Sequence, residues 1–147
     1  MSINTIEELE KLDILALREY VEENKSDWEQ YGLPVVELGD GTEYAIAFDE
    51  EEADQAAIEY IQETTWAFNP DFIADITGMP VEIFTCVVNS GMYERSNSAI
   101  LACINMTCGI YEFAMSAIEA DGRGHFLSPY DSNEVELDSG AYAYRIN

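Results

Sequence analysis

VVELGDGTEYAIAF (residues 35–48) decides the fold class. Two arms rich in strand-forming residues, 35–38 and 43–48, flank Gly39-Asp40-Gly41. Glycines on both sides of an aspartate supply the positive φ angles that tight hairpin turns require. A second signal of the same kind lies near the other end. VEL (135–137) and AYAYRI (141–146) are joined by Asp138-Ser139-Gly140. Most of the chain between reads as helix. The expected class is α+β: a helical middle with two short β-hairpins, which could join into one small antiparallel sheet. The order of strand pairing stays open at this level.

Outward from the hairpins, the helices announce their ends. Thr5-Ile6-Glu7-Glu8 is a capping box, with a hydroxyl at the N-cap and a carboxylate three residues on. Leu9, Leu12, Ala16, Leu17, Tyr20, Val21 and Trp28 follow at helical spacing. This predicts a helix that stops by Gly32, ahead of Pro34, with Asp13 as a possible break. Asp49 opens a second helix, whose inner face is Ala53, Ala56, Ala57, Tyr60 and Ile61. Asn69-Pro70 starts a short helix that Gly78 ends, and Pro80 starts another through about Val88. Ile100, Ile104, Cys108, Tyr111, Met115 and Ile118 form one stripe over 94–119, which Thr107 and Gly109 can split in two. DGRGHFLSPYDSNE (121–134) is polar and turn-rich and reads as loop. No repeat or linker is visible, so residues 1–147 are expected to form a single acidic globular domain.

Charge is the strongest clue to function. Thirty acidic side chains face six basic ones, a net charge of −24. Such a body repels DNA, RNA and anionic membranes, and it attracts cationic surfaces. The largest of these in a cell are surfaces that grip nucleic acid. Aromatic content of 12% and hydrophobic content of 48% exclude a disordered acidic tail. A halophilic origin would also produce excess acid, but glutamate outnumbers aspartate two to one and large apolar residues stay plentiful. Cys86, Cys103 and Cys108 form no CxxC and read as reduced, buried thiols. No basic-then-apolar leader and no run of about 18 apolar residues is present, so a cytoplasmic location in the host cell is expected.

Two stretches are candidate sites. The first is the acidic helix, with Glu50, Glu51, Glu52 and Asp54 in its first turns, then Glu59 and Glu63. Residues four apart on a helix stand roughly 5–6 Å from each other. Phosphates on one DNA strand repeat at roughly 3.4 Å along the axis and further around the spiral. Glu52, Glu59 and Glu63 thus form a row of phosphate-like pitch. The plainer reading is that acids in a first turn simply favour the helix dipole.

The second stretch is Asp121-Gly122-Arg123-Gly124-His125, which holds the only histidine and one of the six cations. Arg123 and His125 could bind a partner's anion. In the plainer reading, Arg123 is an internal counter-ion and the glycines make a turn. No metal or cofactor is expected: the Asp121 and Asp131 stretches fail the EF-hand pattern, and one histidine cannot build a zinc site with scattered cysteines. GxGxxG, P-loop, GxSxG and HExxH are all absent, so binding and not catalysis is expected.

GDGTEYAIAF (39–48), DEEEAD (49–54), TWAFN (65–69) with Phe72-Ile73, DGRGHFLSPYD (121–131) and the closing YAYRIN (142–147) carry a resemblance. Together they resemble a group of small acidic proteins encoded by bacteriophages. The resemblance covers most of residues 33–147 and is least evident over 79–108. It implies a host-takeover or counter-defence setting and brings no catalytic residues. Together with the charge it yields an expected function. The chain would be a phage-type inhibitor, an acidic nucleic-acid mimic that binds the basic surface of a host nuclease or CRISPR-type effector. Glu50, Glu51, Glu52, Asp54, Glu59, Glu63, Arg123 and His125 would make the contacts. The alternative is an interaction module using the Asp121–His125 stretch and exposed aromatics (Tyr31, Tyr93 or Tyr130), with acidity serving solubility. A third, less favoured reading is a small enzyme using His125, Arg123 and Asp131.

Overall fold

The computed structural model describes residues 2–91 and 93–147, without the side chains of Tyr93 and Glu94. The fold is α+β. The described chain forms α1 (Ile6–Glu10), α2 (Ile14–Asn24), β1 (Lys25–Gln30), β2 (Leu33–Glu37) and β3 (Glu43–Ala47). Then come α3 (Glu50–Glu63), a 3-10 turn (Thr65–Ala67), α4 (Pro70–Thr77), α5 (Val81–Asn89), α6 (Tyr93–Met106) and α7 (Ile110–Asp121). The chain closes with α8 (Arg123–Leu127), β4 (Val135–Glu136) and β5 (Tyr142–Arg145).

The chain divides into two compact units. One comprises residues 1–57 and 121–147, the other residues 58–120. Both divisions fall within helices or at their last residue, α3 and α7, so no polar linker marks them in the sequence.

The first unit is built on one antiparallel sheet in the order β1-β2-β3-β5-β4. The two expected hairpins are present, and they join through β3 and β5, with Ala45 opposite Tyr144. Leu9, Leu17, Tyr20 and Val21 of α1 and α2 pack with Val36, Tyr44, Ile46 and Ala143 of the sheet. The alternate residues Val35, Ala45, Ala47 and Tyr144 are also buried. The central strands therefore lie covered on both faces, which is why they read as continuous apolar runs.

Three local expectations need correction, and the expected break at Asp13 is present. Cys86, read as a buried thiol, is exposed, and Cys103 and Cys108 are half-buried. Lys25–Gln30 is strand β1, not the end of the first helix. Tyr31 (φ 50°) and Gly32 (φ 85°) form a two-residue turn with both φ angles positive, and this folds β1 back onto β2. The helical spacing of Trp28 was accidental. Asp13 does more than interrupt: its carboxylate accepts from the Ala16 amide at 2.8 Å and caps a new helix. Residues 123–127, read as loop, form α8. Gly122, at φ 85°, serves the turn, and Gly124 serves packing. A Cβ on Gly124 would lie 2.7 Å from the Ser132 carbonyl oxygen and 2.6 Å from the Asn133 carbonyl carbon.

The second unit is helical. Ile61, Ile73, Phe84, Ile100, Ile104 and Phe113 are fully buried. Phe68, Phe72 and Phe113 meet with ring centroids 5.3–5.7 Å apart. Asn97 ties the 3-10 turn to α6: its Oδ1 accepts from the Thr65 amide at 2.7 Å, and its Nδ2 donates to the Gln62 carbonyl at 3.0 Å. Gly109, at φ 86°, splits the long helical stripe into α6 and α7, which meet at 104°. Among the described residues no single helix is long and apolar enough to cross a membrane.

Gly124→Ala tests the close approach under α8. Backbone atoms block the added methyl, so the variant should lose about 1–3 kcal/mol in urea unfolding, the usual cost of overpacking. Gly41→Ala meets nothing within 4 Å and should show only the strain of its positive φ.

Candidate partner-binding surface

Arg123 is enclosed within the first unit. Its Nε donates to Glu134 Oε2 at 2.8 Å and its Nη2 to Glu134 Oε1 at 2.9 Å, a bidentate fork. Nη1 donates to Asp54 Oδ1 at 3.0 Å and lies 3.6 Å from Glu50 Oε1. The guanidinium also stacks 4.5 Å over the Tyr142 ring. Its side chain is only 10% exposed. Burial works against its charge, but the hydrogen bonds it donates to Glu134 and Asp54 and the nearby negative charge outweigh this and raise its pKa above the ordinary arginine value. The Tyr144 hydroxyl donates to Glu134 Oε2 at 2.8 Å, which completes the network.

This geometry replaces the expectation that Arg123 meets a partner. Its donors face carboxylates of its own chain, the counter-ion reading. It ties α3, α8 and the segment before β4 together. His125, one turn along α8 from Gly122, is exposed, with its ring edge-on to Phe126 at 5.0 Å. Asp131, the third member of the small-enzyme reading, accepts from Ser128 Oγ at 2.7 Å and from the Asn133 amide at 3.0 Å. Those bonds close a turn. Tyr130 is 58% exposed, with Arg145 stacked 3.9 Å from its ring centroid. Tyr31 is half-buried at its turn, and the Tyr93 side chain lies outside the described residues.

The acidic helix forms as its spacing predicts, opened by Asp49, whose carboxylate accepts from the Glu52 amide at 2.8 Å. In the first unit, Asp54 is drawn inward by Arg123, while Glu50 keeps a side-chain exposure of 73% at the edge of that cluster. Glu51 is exposed and Glu52 half-buried. In the second unit, Glu59 and Glu63 are exposed. Two of the six proposed contacts thus also hold the fold, and Glu51, Glu52, Glu59 and Glu63 have no ion-pair partner among the described residues.

The remaining cations of the first unit are few and mostly engaged. Arg18 stacks on Phe48 at 4.4 Å, and Lys25 pairs with Glu22 at 3.1 Å. Among the described residues, ion pairs engage four carboxylates: Glu22, Glu50, Asp54 and Glu134. No group of three or more His, Cys, Asp or Glu side chains there could hold a metal ion.

Removing Arg123 would strand Glu134 and Asp54, which are 24% and 25% exposed. Arg123→Ala should therefore lower stability by roughly 3 kcal/mol in denaturant unfolding, and Arg18→Ala far less. Burial, and then the Glu134 carboxylate, raise the Tyr144 pKa above the ordinary tyrosine value of 10.0. The stabilisation from this shift is complete below that value. It falls as pH rises through it, because the unfolded chain releases the proton first. Stability should decline above about pH 10, and Tyr144→Phe should flatten that decline.

No family model matches the chain, and no curated protein sequence or solved structure matches it.

Proposed function

We propose that the protein is a non-enzymatic inhibitor that binds the basic, nucleic-acid-gripping surface of a host nuclease or CRISPR-type effector. The observation that carries this reading is the set of unpaired carboxylates. Thirty acids stand against six cations, and the described ion pairs engage only four of those acids. The cation with the best geometry, Arg123, is turned inward. Among the described residues no cation pairs with Glu51, Glu52, Glu59 or Glu63 of α3.

Glu51, Glu52, Glu59 and Glu63 would meet arginines and lysines that ordinarily hold phosphates, through charge-assisted hydrogen bonds. Like charges spread over a folded body destabilise it, so a retained excess of this size fits a surface used for attraction. Long-range attraction of this kind speeds encounter and weakens with salt. Arg123 has no part in binding under this reading, and its role is to hold α3 in place.

The test is affinity for purified candidate effectors from low to high salt. Binding should weaken steeply as salt rises, mostly through slower association. Reversing Glu52, Glu59 and Glu63 to lysine should abolish it. Unchanged affinity in that variant, with helix content intact by circular dichroism, would rule the reading out.

A further inference from the structure

We propose that the outer face of α6 is where a second copy of this chain docks, with two α6 helices packed antiparallel across a two-fold axis. The proposal concerns the second unit alone and goes beyond the anionic-inhibitor reading.

α6 turns Ile100 and Ile104 into its own unit, and Asn97 holds the 3-10 turn. Arg95, Ala99, Ala102 and Met106 recur at steps of four, three and four on its other side. That spacing lines up one face of a helix, and it is the spacing with which two helices mesh. All four residues are exposed. Met106 keeps 83% of its surface in solvent, more than any other large apolar side chain among the described residues. The two alanines at the middle let a second helix approach closely.

Charge selects the occupant. Residues 95–111 contain no acid, the longest acid-free run in a chain that holds thirty. Of the four residues on the face, only Arg95 is charged. A cationic partner gains nothing there, and nucleic acid is repelled by the body as a whole. Two bodies of −24 each meet with least repulsion where these four residues of one face those of the other.

Arg95 supplies an attraction that only a second helix of this kind can use. Arg18, Arg123 and Arg145 stack on rings, and Lys25 pairs with Glu22. Arg95 has no ion pair and no ring contact among the described residues. It stands in the first turn of α6, where the helix dipole disfavours a cation. The last turn of α6 favours a cation and holds none. Antiparallel pairing centred between Ala99 and Ala102 sets each of these alanines against the other in the second copy. It sets Arg95 against the second copy's Met106, so the arginine stem covers the methionine and the guanidinium reaches the negative end of that helix. Two-fold symmetry makes each contact twice.

Sedimentation equilibrium of the full chain, over a wide concentration range at low and high salt, is the test. A monomer–dimer equilibrium is expected. Salt should strengthen it, because screening relieves the repulsion between two acidic bodies. The opposite salt dependence is expected for a cationic partner. Ala102→Glu should abolish the dimer, and Arg95→Ala should weaken it about fivefold, the effect of two dipole contacts of ordinary strength. Leu15→Glu, at an exposed apolar residue of α2, should dimerise like the parent. Thermal melting by circular dichroism establishes that each variant folds. A dimer that Ala102→Glu leaves intact would overturn the proposal. So would a chain that stays monomeric at every concentration and salt, which would leave the face to an unrelated protein.

Discussion

A single buried cation organises the first unit. Arg123 gathers Glu50 and Asp54 of α3 and Glu134 from the segment before β4, and lays its guanidinium on Tyr142. In a chain this acidic, bringing carboxylates from α3 and the segment before β4 together would otherwise be repulsive. The arginine makes it attractive. It also explains why Gly124 must be small: α8 approaches residues 132–134 closely enough that a methyl group would strike backbone. Sheet, α3 and α8 depend on one another through this contact.

The same economy of cations shapes the surface. Arg18, Arg123 and Arg145 are used internally, on rings and, for Arg123, carboxylates, and most of the acids are left to solvent. The consequence is electrostatic: the body repels polynucleotides and attracts what binds them. On the proposed reading, inhibition by occupancy would follow from that without catalysis. A cationic channel would then gain contacts with carboxylates where it otherwise holds phosphates, and steering would make the encounter fast. Specificity would then rest with local features that point charges lack.

Several parts of this were legible in the residues. GDG and DSG turns placed both hairpins, Asn69-Pro70 placed α4, and Gly109 placed the break between α6 and α7. β1 was not legible. Its residues, KSDWEQ, are polar and exposed and lack strand character, and the turn after it uses Tyr-Gly in place of the commoner Asn-Gly. Pairing with β2 overrides local preference there. The partners of Arg123 were also hidden, because Asp54 lies 69 residues away and thirty acids offer no way to choose among them. The glycines around Arg123 were the available signal, and they pointed to close packing as much as to a binding loop. The division into two units left no trace for a related reason: helices run through or up to its boundaries.

The central claim is that exposed carboxylates and a nucleic acid compete for one cationic groove. The most direct measurement is displacement of a fluorescently labelled oligonucleotide from a target effector, followed by anisotropy as the protein is added. The account predicts mutually exclusive binding, in which raising the oligonucleotide concentration raises the protein concentration needed for half-displacement in proportion. A stable ternary complex, with effector, oligonucleotide and protein bound together at full occupancy, would contradict it.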